Sequence, residues 1–227
     1  MGKVFCVVDY YAENSSEKYW RKIDSEIKKI VSIPKHKVIH DRYGRRVCRP
    51  EKFSIENLAN YGESYRSFKF YCNNLRSNLV SILENNKEKP NVIIALGGAR
   101  ILAWQIHSSL VDSDNPVLFG VMEMNRVVLN DRVVGFNYNL DHFSSNFYPA
   151  NVKAIVVEDF INTGRSTEIA IKKIRKLGGE ILAVVSFGNA LGLYWPFEVS
   201  TNITFLNFDF TKIMAEDCPI CSKKIHI

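Results

Sequence analysis

The chain has 227 residues, 46% of them hydrophobic and 24% charged, which is the balance of a folded globular protein and excludes a disordered one. Its formal net charge of +6 comes from 30 basic and 24 acidic residues; a surplus of that size suits small polyanions and permits nucleic-acid contact without demanding it. No apolar run approaches the roughly 20 residues of a membrane span and the opening M-G-K-V-F-C-V-V-D-Y is charged too early for a signal peptide, so a cytoplasmic chain without a membrane partner is expected, and its five cysteines are not expected to form disulfides.

Residues 3–8 read as a short strand, and Ser15 or Ser16 can cap a helix through Trp20, Ile23, Ile27 and Ile30 that Pro34 ends. Residues 36–50 alternate apolar and basic side chains about Tyr43-Gly44, predicting a turn between strands at 37–40 and 46–48. The basic clusters at 35–37 and 42–49 are read as a solvated or substrate-steering face, with a nucleic-acid or protein patch as the alternative. From 54 to 86 the pattern is helical with a break near Tyr61-Gly62, and Phe68, Tyr71, Leu75, Leu79, Val80 and Leu83 recur at the spacing of a core-facing stripe.

Residues 91–96 form a nearly continuous apolar strand, followed by the turn Gly97-Gly98-Ala99-Arg100 and a helix with Ile101, Leu102, Trp104 and Ile106. Strands apolar on both faces belong to a parallel sheet covered by helices. A loop at 112–116 and a strand at 117–122 follow. The interval 123–151 carries several short β-like runs; no lysine occurs between Lys89 and Lys153, leaving Arg126 and Arg132 as its basic residues.

The most informative stretch is 152–179. Its apolar β-branched run (Ala154, Ile155, Val156, Val157) meets two carboxylates, Glu158 and Asp159, placed at a strand end where they can point out of the sheet edge. The small polar turn Asn162, Thr163, Gly164, Arg165, Ser166 and Thr167 then opens an amphipathic helix with Ile169, Ala170, Ile171, Ile174 and Leu177 as its buried stripe. Backbone N–H groups at a helix N-terminus, with hydroxyls beside them, cradle a phosphate dianion. Gly178-Gly179 caps the helix before a strand at 180–187, so the unit is βαβ.

The string V-V-E-D-F-I-N-T-G-R-S-T resembles the 5-phosphoribosyl-1-pyrophosphate (PRPP) signature of type I phosphoribosyltransferases. The resemblance covers residues 90–210. It implies an α/β fold, a mainly parallel doubly wound sheet, with 1–89 as an additional N-terminal lobe and helical segment packing on the core, 90–210 as the core and 211–227 as a C-terminal tail. It also implies that Glu158 and Asp159 hold the ribose hydroxyls with Mg2+ near Asp159, that residues 162–167 wrap the 5′-phosphate, and that Gly97, Gly98, Ala99 and Arg100 hold pyrophosphate. The expected partners are PRPP or a nucleotide, pyrophosphate and a nucleobase, in a homodimer or as a subunit of a larger assembly. Two departures stand out. Asn162 replaces an aspartate that serves as a proposed general base in purine-salvage members, and an amide takes no proton at neutral pH. The interval 123–151, where the family has its flap, lacks the lysines of orotate-type members.

The resemblance therefore implies transfer of 5-phosphoribose between PRPP and a base. The alternatives are a PRPP-binding regulatory or effector subunit that has lost transfer, or a nucleotide N-glycosidase using the same pocket.

After residue 187, Tyr194, Trp195 and Phe197 occupy the neighbourhood of the family's base-binding hood, where they either stack on a base or plug the sheet, and a last strand is expected at 203–208. The chain closes with Cys218-Pro219-Ile220-Cys221. A C-x-x-C pair is half a tetrahedral Zn2+ site; here it is either two structural thiols, a zinc site completed by Cys48, His226 or a second subunit, or a redox pair. This D-C-P-x-C ending also resembles the tail of some bacterial proteins of the orotate-type branch.

Overall fold

The computed structural model describes residues 2–40, 45–55, 62–87, 89–111, 120–129, 132–138, 152–192, 194–208 and 213–222. Outside them lie the loop predicted at 112–116, the start of the strand predicted at 117–122, the Tyr43-Gly44 turn, Tyr61 at the predicted helix break, much of the 123–151 interval, and His226.

The strands are β1 (Gly2–Lys3), β2 (Phe5–Cys6), β3 (Ser32–His40), β4 (Arg46–Phe53), β5 (Val92–Leu96), β6 (Val121–Leu129), β7 (Arg132–Tyr138), β8 (Lys153–Ile161), β9 (Glu180–Asn189), β10 (Tyr194–Trp195), β11 (Thr201–Asn207) and β12 (Ile213–Met214). The α-helices are α1 (Val7–Asn14), α2 (Glu17–Val31), α3 (Gly62–Asn85), α4 (Arg100–Val111), α5 (Arg165–Lys176) and α6 (Pro219–Ser222), with a 3-10 turn at Gly97–Ala99.

Among the described residues, seven strands make the main sheet in the order β2-β11-β9-β8-β5-β6-β7. All neighbours are parallel except β6 and β7, an antiparallel hairpin at one edge. The expected mainly parallel sheet is present, and helices cover both faces. On one face α1 to α4 bury Val7, Ile27, Leu75, Leu79, Leu102 and Ile106 against Ile155, Val157, Val185 and Phe205. On the other, Ala170, Ile171 and Ile174 of α5, with Phe136 of β7 and Trp195 and Phe197, pack on Ile94, Val156 and Val184.

The strand read at 3–8 is shorter than expected, because Val7 begins α1. Val8 and Ala12 lie four apart and are buried, so helical burial outweighs the β preference of two adjacent valines. Asp9 in the first turn accepts from Arg21 at 2.8 Å and from Asn207 at 2.8 Å, tying this helix to α2 and to the end of β11. Strand β6 extends well past the predicted end at 122. Its first half pairs with β5 (Ile93↔Val121 to Leu96↔Met124) and its second half with β7, so the β-like runs of this interval include a hairpin that rises beyond the end of β5.

A separate three-stranded sheet, β12-β4-β3, joins two distant parts of the chain. Ile213 pairs with Cys48 and Met214 with Val47, so the C-terminal segment lies on the strand hairpin of the first 60 residues.

Candidate functional site

The central pair of strands, β5 and β8, carries both glycine-containing turns at their carboxyl ends. Leu96, the last residue of β5, is paired with Glu158. On the β9 side, β8 continues to Ile161, which pairs with Asn189. The strand therefore does not stop at the two carboxylates, as the residue pattern suggested; only its pairing with β5 stops there. Val157 and Phe160 lie three apart yet face the same core, so the alternation of a regular strand is broken across Glu158 and Asp159.

The two acids have different surroundings. Glu158 is 2% exposed, turned inward rather than out of the sheet edge. The guanidinium of Arg126, on β6, donates to its Oε1, and the Thr167 hydroxyl donates to Oε2 at 3.4 Å. Burial pushes the Glu158 carboxyl up to about 8, and the nearby charge of Asp159 adds to this, while the Arg126 guanidinium opposes it. Asp159 is half-buried; its Oδ1 accepts from the Phe160 N–H at 2.8 Å.

The Gly97–Ala99 turn is shaped to fit these groups. A Cβ on Gly98 would stand 2.8 Å from Asp159 Oδ2, and one on Gly97 would stand 3.0 Å from Arg126 Cζ. Gly97 also has φ +55°, in the left-handed region that glycine adopts without strain. Glycine at both positions lets the backbone approach a carboxylate on one side and a guanidinium on the other. Arg100, expected to supply the cation here, is two-thirds exposed and donates from Nε to Glu123 Oε1 at 2.9 Å. Arg126 is the cation at the turn, a position that the residue pattern did not reveal because it depends on how far β6 rises beside β5.

The second turn leads into α5. Gly164 is its N-cap, with φ +73°, and contributes no side-chain cap. A Cβ there would meet Leu191 at 3.0 Å and Phe197 at 3.2 Å, so the glycine lets the helix start lie close against the 191–197 segment. The Arg165 N–H donates to Thr163 Oγ1 at 3.5 Å, and Thr167 is buried beside Glu158. Asn162, Thr163, Arg165 and Ser166 are half-buried. Arg165 Nε donates to Val133 O at 3.3 Å and Lys173 Nζ donates to Phe136 O, docking the β6–β7 hairpin on α5. Hydroxyls, helix N–H groups, a guanidinium and one accessible carboxylate thus surround the ends of two adjacent parallel strands, an arrangement suited to a ligand with two anionic ends and hydroxyls between them.

Trp195 and Phe197 do not form an open stacking face. Trp195 is fully buried, with Nε1 donating to Asn189 Oδ1 at 2.8 Å, and Phe197 is 2% exposed beside it. Of the two readings, a stacking face for a base or a plug over the sheet, the burial of Trp195 and Phe197 favours the plug, because both rings are spent on the core. The side chain of Tyr194 lies outside the described residues.

No protein-family model matches the chain. It is similar to the orotate phosphoribosyltransferases of Carboxydothermus hydrogenoformans, 32% identical over 75 residues, and of Caldicellulosiruptor saccharolyticus, 33% identical over 79 residues. The match takes in 33% of this chain and 39% of each of those enzymes, so the chain spans about two fifths of the length of the curated relatives it matches. Among solved structures it is similar to the adenine phosphoribosyltransferase of Thermoanaerobacter pseudethanolicus, at 14% identity and a TM-score of 0.49 over 81% of this chain and 99% of that one. It is also similar to the adenine phosphoribosyltransferase of Trypanosoma brucei in complex with AMP, pyrophosphate and ribose-5-phosphate, at 12% identity and a TM-score of 0.49 over 82% and 79%.

Outside this centre, the structure brings Cys48 to Cys218 and Cys221. The three thiols lie within 4.8 Å of one another.

Proposed function

We propose that this chain is a magnesium-dependent phosphoribosyltransferase acting on PRPP and a nitrogenous base. The observation that carries the reading is the pairing of Leu96 with Glu158, which sets two glycine-containing turns side by side with Asp159 against Gly98 between them. PRPP has the matching chemistry: a 5′-phosphate, two ribose hydroxyls and a pyrophosphate on C1. The turn at 162–167 takes the 5′-phosphate through the N-terminus of α5 and the hydroxyls of Thr163 and Ser166. Asp159 accepts from the ribose hydroxyls. Gly97, Gly98 and Ala99 offer backbone N–H groups to the pyrophosphate, with Arg126 over the turn as its counter-charge.

Glu158 acts through its neighbours. Buried against Thr167 and Arg126, it holds the guanidinium in place and is a positioning residue. In transfer, the C1–O bond to pyrophosphate breaks, its electron pair leaving with pyrophosphate, and a base nitrogen forms the new bond to C1 while its proton passes to solvent. Asp159 and the fixed dipoles of the turns steady the positive charge that develops on the ribose. Oxygen donors at Asp159 fit Mg2+, which prefers carboxylate and phosphate oxygens; when bound there, it would neutralise pyrophosphate charge. Asn162 supplies no general base, so the acceptor is a base whose nitrogen needs no strong one.

The decisive assay incubates the chain with PRPP, Mg2+ and pooled nucleobases, orotate included, and reads nucleotide and pyrophosphate by mass spectrometry. Asp159→Asn should abolish product. Calorimetry showing PRPP binding without pyrophosphate release from any base would favour a binding subunit, a reading supported by Asn162 and by the pairing of Arg100 with Glu123. Release of free base from a nucleotide without added pyrophosphate would mark an N-glycosidase. Failure to bind PRPP at all would overturn the sugar-phosphate reading.

A further inference from the structure

The five cysteines divide into two environments. Cys6 and Cys72 lie inside the main core as small apolar groups. Cys48 and Cys218 are equally buried, at 2% and 3% exposure, but belong to neither of the two hydrophobic clusters. They face each other and Cys221. The sulfur of Cys48 is 3.2 Å from that of Cys221, and all three sulfurs fall within 4.8 Å.

Those separations fit one kind of bond better than the other. A disulfide holds its sulfurs at about 2.05 Å, and no disulfide joins the five cysteines. Around a tetrahedral Zn2+ with Zn–S of about 2.3 Å, two sulfurs stand roughly 3.8 Å apart, inside the span observed here. The donors also come from suitable supports. Cys218 and Cys221 bracket the start of α6 as a C-x-x-C turn, and Cys48 lies on β4, which pairs with β12 just before that turn. Ala215 N donates to Arg46 O at 3.1 Å and continues the attachment.

We propose that Cys48, Cys218 and Cys221 bind a structural zinc ion that staples the C-terminal segment to β4. Each thiol releases its proton to solvent on binding, so three thiolates meet the dication and one further donor completes the tetrahedron. The site has a physical reason to exist. β12 is two residues long, and Val47 and Cys48, the buried described residues of the strand it pairs with, lie outside both hydrophobic clusters; units too small for a core of their own are commonly held by a metal. The proposal is independent of the sugar-phosphate reading, because none of its ligands belongs to the centre around Asp159.

The test uses the full chain purified under reducing conditions without chelator. Elemental analysis should find about one zinc per chain. Replacement by Co2+ should produce the thiolate charge-transfer and tetrahedral d–d bands of a sulfur-rich site, a readout that needs no variant. Cys48→Ser and Cys221→Ser should each lower metal retention at least about tenfold, whereas Cys72→Ser should retain it. Zinc lost on desalting, a cobalt spectrum without thiolate bands, or a Cys48–Cys221 disulfide found by mass spectrometry would each overturn the assignment.

Discussion

Glu158→Gln keeps the size and one acceptor oxygen of a buried carboxyl while removing its titration. The folded chain holds the Glu158 proton up to a pH of about 8, whereas the unfolded chain gives it up near 4.5. Between those values the folded state binds more protons, so this residue's contribution to stability is fully present below pH 4.5. It is lost as pH rises through 8 and levels off above that. At about 1.4 kcal/mol per factor of ten in proton affinity, the full window corresponds to an upper bound near 5 kcal/mol. Water reaching the pair along the Arg126 side chain, about a third exposed, screens the carboxylate as it forms, so about 2–3 kcal/mol is the expected measured loss. Urea unfolding followed by tryptophan fluorescence at pH 5 and pH 8.5 reads this directly. The Gln variant should match the wild type at the lower pH and exceed it by about 2–3 kcal/mol at the higher, other titrations cancelling in the comparison. A difference independent of pH would refute the reasoning. So would a Gln variant that weakens relative to wild type as pH rises, since that would make the Arg126 attraction stronger than the burial of the acid.

Three further outcomes follow from the packing. Gly188→Ala places a methyl 2.3 Å from Phe160 Cδ1 and 2.6 Å from Phe208 Cε2; thermal denaturation should show a loss of about 1–3 kcal/mol, and an unchanged Tm would mean the two rings are not held as described. Gly98→Ala puts a methyl 2.8 Å from Asp159 Oδ2, which can swing aside, so stability should change by less than about 1 kcal/mol while calorimetric PRPP affinity falls at least about tenfold; equal affinity would remove Asp159 from the pocket. Arg126→Met strips the buried Glu158 of its counter-charge. It should weaken pyrophosphate and PRPP binding by about 1–3 kcal/mol and destabilise the chain more at pH 8.5 than at pH 5, and equal losses at both would show that Glu158 does not titrate in this window.

Much of the centre was legible in the residues, because both turns are local. A strand, a glycine-bearing turn and a helix follow one another in the chain at 92–111 and at 153–176, and the chemistry of each turn is carried by adjacent residues. Partners that approach from elsewhere in the chain were not legible. Arg100 adjoins its glycines in sequence but turns to Glu123, while Arg126 reaches Glu158 from 32 positions away. Trp195 and Phe197 had the right neighbourhood for a base, but only the packing of Phe197 behind Gly164 shows where their faces are used.

By itself, then, the sequence determined the alternation of apolar strands and amphipathic helices, and with it a parallel sheet bearing a glycine- and hydroxyl-containing turn at a helix N-terminus, since hydrophobic periodicity and helix N-terminal chemistry act over a few residues. Tertiary structure alone decided which acid is buried and which is accessible, which arginine supplies the charge, and which cysteine joins the C-terminal pair. Those outcomes depend on how strands pair across the sheet. Leu96 beside Glu158 and Ile213 beside Cys48 bring together residues 62 and 165 positions apart, and no local pattern encodes a register of that range.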